Sequence, residues 1–121
     1  MKISFFIIIA TFWLAAAIPV NAQELEIALF IPRNDTFWKR VEFFTQDAAD
    51  DLGMRLKVYS ADDKPDRMIE QVQSVVKAGI DGIIFPSFQN IGEQILQISE
   101  ENRVPAILIN SPLLYADHLP R

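Results

Sequence analysis

The sequence predicts an α/β fold built on a doubly wound parallel sheet. Four short apolar segments alternate with three longer segments whose apolar residues recur every three or four positions, which gives the order β-α-β-α-β-α-β. Two of the apolar segments, 83–85 and 106–109, contain no polar residue, so we expect helices to cover both faces of these strands. Right-handed crossovers between parallel strands then predict the strand order 2-1-3-4.

The first strand is predicted at residues 25–31, and Pro32 ends it. Asp35 or Thr36 can cap the helix that follows, and Gly53 can take the left-handed conformation that ends it. Spacings of four, three, four and four between apolar residues predict that this helix buries one stripe. The predicted stripe comprises Phe37, Val41, Phe44, Ala48 and Leu52.

The next unit begins with residues 55–59, which alternate between polar and apolar as a half-buried edge strand does. Pro65 suits the first turn of a second helix, and Gly79 ends that helix. Its predicted buried stripe comprises Met68, Val72, Val75 and Val76.

The third strand is predicted at residues 81–85, and Pro86 stops it. Ile91, Ile95 and Ile98 mark a third helix. The fourth strand, residues 104–109, has its proline at the entry, where a missing N–H disturbs the sheet least. Its outer edge has no predicted neighbour, so we expect the isolated chain to be marginally stable and to self-associate.

Residues 1–22 have the features of a cleavable export signal. A positive start at Lys2 precedes an apolar run over residues 3–18, and small residues follow at the positions that a signal peptidase reads. The alternative is a transmembrane anchor, because the run is nearly long enough to span a bilayer. Pro19 breaks the helix just ahead of the cleavage site, so we favour cleavage after Ala22 and a periplasmic protein.

Composition narrows the possible functions of the remaining segment, residues 23–121. The chain contains no cysteine, so it cannot be a lipoprotein that carries a lipid on cysteine. It also cannot form disulfide bonds, so the stability of its fold must come from an apolar core. Removal of Lys2 with the leader leaves ten Lys plus Arg against sixteen Asp plus Glu, a formal charge of −6. An acidic chain of this kind is not expected to bind nucleic acid.

Ligands of parallel α/β sheets bind beyond the carboxyl ends of the strands, which here are residues 32–37, 60–64, 86–90 and 110–113. The first of these loops has no glycine, so it cannot form a phosphate-binding turn. It offers two adjacent aromatic residues, Phe37 and Trp38, behind the short polar side chains of Asn34 and Asp35.

Aromatic rings next to carboxylate or amide groups are typical of carbohydrate sites. The ring packs against the weakly apolar face of a sugar, and the carboxylate or amide accepts hydrogen bonds from its hydroxyl groups. The alternative is that Phe37 belongs to the core stripe and that Asp35 only caps the helix. Trp38 favours the site interpretation, because the pattern places it beside the buried stripe rather than on it.

The order of motifs resembles the amino-terminal lobe of type I periplasmic substrate-binding proteins. The motifs are the turn N-D-T-F-W, the helix end A-A-D-D-L-G, the segment V-V-K-A-G-I-D-G-I-I-F-P and the strand V-P-A-I-L-I-N. Within that family the chain is similar to the ribose-type sugar binders and to the autoinducer-2 receptor branch. The resemblance covers residues 24–112 and implies that residues 23–121 form part of one lobe of a two-lobe fold.

The resemblance also implies ligand contacts. It places Asp35, Phe37 and Trp38 in the binding cleft, with Asn110 at the end of the fourth strand. The ribose type carries an Asp-Arg pair at that last position, whereas this chain has Asn110-Ser111, so we expect a polyol or a hydroxylated furanose rather than ribose. Asn34, in the loop after the first strand, and Ser87, at the end of the third strand, complete the predicted site.

The functional prediction is an exported solute-binding protein that recognises a sugar-like small molecule for an ABC transporter permease or a membrane sensor. One alternative is a truncated product without independent ligand function, because the sequence stops after the fourth strand. The other is an exported α/β enzyme. No metal or cofactor is expected, and the single histidine, His118, has no predicted acid or base partner.

Overall fold

The computed structural model describes residues 23–110 as a four-stranded parallel sheet with three helices. The strands are β1 (Glu26–Ile31), β2 (Arg55–Ser60), β3 (Gly82–Pro86) and β4 (Ala106–Ile109). The helices are α1 (Thr36–Asp51), α2 (Pro65–Lys77) and α3 (Gly92–Glu101). The strand order is β2-β1-β3-β4, which confirms the predicted fold class and sheet order. The predicted leader (1–22), Ser111 and His118 lie outside the described residues.

The central strand, β1, separates two parts of the core. Alternate side chains of a strand point to opposite faces of the sheet. Ala28 and Phe30 accordingly join the cluster beneath α2 and α3, whereas Leu29 and Ile31 join the cluster beneath α1. All four side chains are fully buried, because β1 has a strand on each side and helices on both faces. The predicted stripe of α2 is likewise buried.

The edge strand β2 shows the predicted alternation, with Arg55 and Lys57 exposed and their neighbours partly buried. Both cations contact Glu26 at the start of β1: Lys57 Nζ lies 2.8 Å and Arg55 Nη1 3.3 Å from its carboxylate. The hydrogen bond from Lys57 holds the pKa of Glu26 below its ordinary value. These exposed ion pairs help to set the register of β2 against β1.

Within the described residues, the prediction that helices cover both faces of the third and fourth strands is wrong for the fourth strand. α2 and α3 pack against each other on one face of the sheet, and on the other face α1 lies over the β1–β2 side. Ile84 and its neighbour in the register, Ile107, point toward the α1 side. Ile107 is 60% exposed there, because no described element covers it. An apolar strand sequence indicates that both faces suit burial, but it does not supply the covering element.

The predicted buried stripe of α1 is also wrong except at Val41, which is partly buried against the cluster beneath α1. Phe44 is 66% exposed and Leu52 is exposed too, whereas Trp38 and Ala49 are buried against the sheet. The helix is rotated from the predicted orientation, so the stripe lies along its flank. Thr45 can lie on the inward side because its hydroxyl donates a 2.7 Å hydrogen bond to a carbonyl oxygen of its own helix.

Candidate functional site

The carboxyl ends of β1, β3 and β4 surround one open cavity of about 440 Å³. This volume falls within the roughly 300–1,000 Å³ that is usual for small-molecule sites. On the β1 side the lining residues are Pro32, Arg33, Asp35, Phe37 and Trp38. On the β3–β4 side they are Pro86, Ser87, Phe88, Gln89 and Asn110. The cavity lies at the reversal of strand order between β1 and β3, which is where parallel α/β sheets bind ligands.

Asp35 is the N-cap residue of α1, and both of its carboxylate oxygens have partners. Oδ1 accepts a 2.9 Å hydrogen bond from the Trp38 backbone N–H, and Oδ2 accepts a 3.1 Å hydrogen bond from Nε of Arg33. Each carboxylate oxygen can accept more than one hydrogen bond. The partly exposed carboxylate is therefore held in one orientation and can still accept hydrogen bonds from a ligand in the cavity.

Arg33 was not among the predicted site residues, although it lies in the predicted strand-end loop 32–37. Its guanidinium pairs with Asp35 and also donates a 2.7 Å hydrogen bond from Nη1 to Oδ1 of Asp63, in the loop after β2. A guanidinium has five N–H groups, and these two contacts leave others that can face the cavity. The residue pattern carries no clear signal for this role, because Asp63 is 30 residues away along the chain.

The two aromatic residues have different environments. Phe37 is 52% exposed, whereas Trp38 is only 4% exposed and packs with Leu29 and Ile31. The rings meet edge to face, with centroids 5.1 Å apart. The prediction that Trp38 lies beside the buried face is therefore wrong. Phe37 is the accessible ring, whereas Trp38 packs against it from the core and lines the cavity with only a small part of its surface.

The opposite wall consists of the turn after β3 and the end of β4. Gln89 and Asn90 have φ angles of 46° and 64°, and Asn110 has a φ of 70°. Asparagine tolerates this left-handed region better than most residues. The turn is closed by a hydrogen bond from the Ile91 N–H to the Phe88 carbonyl. Gln89 and Asn110 consequently place two exposed amide side chains at the rim.

Five of the six predicted site residues line this cavity: Asp35, Phe37, Trp38, Ser87 and Asn110. Asn34 is exposed but does not line it. The other lining residues belong to the predicted strand-end loops 32–37 and 86–90 but were not predicted individually; they are Pro32, Arg33, Pro86, Phe88 and Gln89.

Within residues 23–110, no three His, Cys, Asp or Glu side chains come close enough together to hold a metal ion. In the same range, no helix is long and apolar enough to cross a membrane. The cavity therefore offers a carboxylate, a guanidinium, amides, a hydroxyl and aromatic rings as its chemical groups. Such groups bind by hydrogen bonding and stacking.

Residues 24–121 match the family model described as periplasmic binding proteins and the sugar-binding domain of the LacI family. Comparison with curated protein sequences gives no match.

Three solved structures illustrate the structural likeness. A periplasmic sugar-binding protein from Pseudomonas fluorescens is 26% identical, with a TM-score of 0.66, and the match covers 74% of this chain and 29% of that one. A galactofuranose-binding protein is 22% identical, with a TM-score of 0.67, and the match covers 77% and 32%.

The third is the periplasmic binding protein component of the arabinose ABC transporter from Shewanella sp. ANA-3, bound to α- and β-L-arabinofuranose. It is 18% identical, with a TM-score of 0.65, and the match covers 73% of this chain and 30% of that one. The chain thus matches about a third of the length of each of these structures.

Proposed function

Because this chain belongs to the family of periplasmic binding proteins and LacI-type sugar-binding domains, we propose that it binds an uncharged sugar in the cavity at the ends of β1, β3 and β4. One observation carries the proposal: an exposed ring, that of Phe37, stands beside an oriented pair of Arg33 and Asp35. A sugar presents an apolar C–H face and a ring of hydroxyl groups, and these groups complement both features.

Each side chain has a distinct role in the proposed complex. Phe37 packs against the C–H face of the sugar, and Asp35 accepts hydrogen bonds from hydroxyl groups. Arg33 donates hydrogen bonds to hydroxyl or ring oxygens of the sugar. It thereby supplies, from the loop after β1, the charged donor that is absent from the end of β4. Asn110 and Gln89 contribute amides from the opposite wall, where each amide can both donate and accept.

The charge of the site favours a neutral ligand. Arg33 lies between two carboxylates, those of Asp35 and Asp63, so its positive charge is already compensated. An anionic sugar phosphate or sugar acid would add negative charge to a site that has no uncompensated cation among its lining residues. Two of the structurally similar proteins are described with furanoses, which supports a hydroxylated furanose as a candidate.

Ligand-observed NMR on the exported chain tests this proposal. We expect saturation transfer to neutral sugars such as arabinose and galactose, which sample furanose forms, and no transfer to ribose 5-phosphate or glucuronate at the same concentration. The cavity is open and would enclose a ligand on one side only, so we expect a millimolar dissociation constant, which corresponds to a binding free energy of about 4 kcal/mol. Binding of the anionic sugars alone would contradict the proposed role of the Arg33–Asp35 pair.

The proposed cellular role is delivery of the sugar to an ABC transporter permease or to a membrane sensor from the periplasmic side. Family membership and the apolar leader of the sequence support it.

We expect the exported protein to begin at Gln23. Intact-mass measurement of protein purified from the periplasm of a Gram-negative host checks this, because cleavage after Ala22 removes a defined 22-residue segment. A species that retains Met1 and stays with the membrane fraction would indicate the anchor alternative instead.

A further inference from the structure

The side of α1 that faces away from the sheet carries an aromatic pair at its centre. Phe43 and Phe44 are each 66% exposed, and their rings are in edge contact with centroids 5.6 Å apart. Single exposed apolar residues are common on protein surfaces, but two adjacent large rings in the middle of a helix form an apolar patch that suits a partner. We call this side the α1 outer face; its exposed residues are Thr36, Arg40, Phe43, Phe44, Asp47 and Asp51.

Charge is divided along α1, both on the α1 outer face and beside it, where Lys39 and Asp50 lie. Lys39 and Arg40 lie on the amino-terminal side of the aromatic pair, and Asp47, Asp50 and Asp51 lie on the carboxyl-terminal side. Within the part of the chain that the structure describes, none of these five residues forms an ion pair. The exposed charged residues of the two halves of the helix are therefore opposite in sign, and they lie on either side of an apolar centre.

This order of charges opposes the helix dipole. A helix is stabilised by acidic residues near its amino end and by basic residues near its carboxyl end. α1 has no acidic residue in its first turn and no basic residue in its last turn, whereas α2 has Asp66 and Lys77 at those places. The N-cap carboxylate of Asp35 suits the helix dipole, but the order of the basic residues and the aspartates within α1 does not stabilise α1 itself, whereas an antiparallel helix with the same order would complement it.

We propose that the α1 outer face binds a second copy of this chain, with the two α1 helices antiparallel about a twofold axis. An antiparallel alignment centred between Phe43 and Phe44 places Phe43 opposite Phe44 of the second copy. The same alignment places Arg40 opposite Asp47 of the second copy, and the twofold axis generates this pair twice. Thr36, Arg40, Phe43 and Asp47 follow spacings of four, three and four, as residues along the seam between two packed helices do.

A second copy fits this face better than an anionic surface does. A membrane of acidic lipids would be attracted by Lys39 and Arg40 but repelled by the three aspartates of the same helix. In the antiparallel dimer the basic half of each α1 helix lies beside the acidic half of the other, and the two helix dipoles are aligned favourably. The interface is small, so we expect a weak dimer that forms at high concentration.

The test is charge reversal on the exported chain, purified from the periplasm and followed by sedimentation equilibrium. Arg40→Asp and Asp47→Arg should each weaken dimerisation at least tenfold, because each change places like charges opposite one another at two points. The double variant restores opposite charges and should return the dimerisation constant to within about threefold of the original. Both positions are exposed, so circular dichroism should show that all variants fold alike.

Disulfide crosslinking tests independently which residues face each other in the dimer. The chain has no cysteine of its own, so each introduced cysteine reports on one position. Phe43→Cys should form a disulfide-linked dimer on mild oxidation, whereas Gln73→Cys, an exposed position on α2, should not. A chain that stays monomeric at millimolar concentration would overturn the proposal. So would association that is insensitive to the charge reversals, which would place the contact at the β4 edge or at the exposed Ile107.

Discussion

Replacement of Trp38 by alanine is expected to lower the free energy of unfolding by about 3 to 5 kcal/mol. The ring is almost completely buried and fills the space between α1 and the side chains of Leu29 and Ile31, so its removal leaves a cavity in the smaller of the two core clusters. Domains of this size are stable by only about 5 to 15 kcal/mol. The variant is therefore expected to be close to unfolding at physiological temperature.

The matched control is Phe44→Ala, which removes a ring of comparable size from the same helix. Phe44 is largely exposed, so we expect its loss to change the free energy of unfolding by no more than about 0.5 kcal/mol. Urea unfolding followed by circular dichroism, at a concentration low enough to exclude self-association, measures both values. Equal losses for the two variants would mean that α1 is not rotated as described.

The second large effect is expected at Phe37. Phe37→Ala should weaken sugar binding about tenfold, which corresponds to about 1.4 kcal/mol, because the packing surface for the sugar face is lost. The free energy of unfolding should change little, since half of the ring is already exposed. Phe43→Ala is the control: it removes a more exposed ring from the same helix but from outside the cavity.

Trp38 provides the signal for this comparison. Its ring is in edge contact with Phe37, and the other tryptophan of the chain, Trp13, is removed with the predicted leader. A sugar that covers Phe37 should therefore shift the emission of the remaining tryptophan during a titration. If Phe37→Ala and Phe43→Ala bind sugar with equal affinity, the aromatic part of the proposed site is wrong.

The fold could be predicted from the sequence because its signals are local. Prolines and glycines mark the ends of the segments, and helix-spaced stripes separate short apolar runs. The handedness of parallel connections then leaves few possible strand orders. The stripe of α2 was predicted correctly because the charged residues of this helix are exposed and lie away from the stripe.

The orientation of α1 could not be predicted in the same way. The helix has two apolar sides, one with Trp38 and Ala49 and one with Phe37 and Phe44, and periodicity alone does not say which one meets the sheet. The buried side includes Thr45, whose polarity is concealed by a hydrogen bond within the helix. A count of apolar residues therefore favoured the wrong side.

The lining of the cavity was predicted where it depends on strand ends, and it was not predicted where it depends on contacts between distant segments. Asp35, Ser87 and Asn110 follow directly from the rule that ligands bind beyond the carboxyl ends of parallel strands. The role of Arg33 requires Asp63, and only the pairing of β1 with β2 brings these two loops together. Long-range contacts of this kind have no signature in a single sequence.

The most direct test of the central claim is a two-dimensional ¹H–¹⁵N NMR titration of the exported chain with arabinose and galactose. We predict that the amide signals of residues 33–38, 87–90 and 110 shift together with one millimolar dissociation constant, while those of α2 and α3 stay in place. Shifts confined to other parts of the chain, or no shifts at all at a sugar concentration of about 50 mM, some fifty times a dissociation constant of about 1 mM, would contradict the proposal that this cavity is a sugar site.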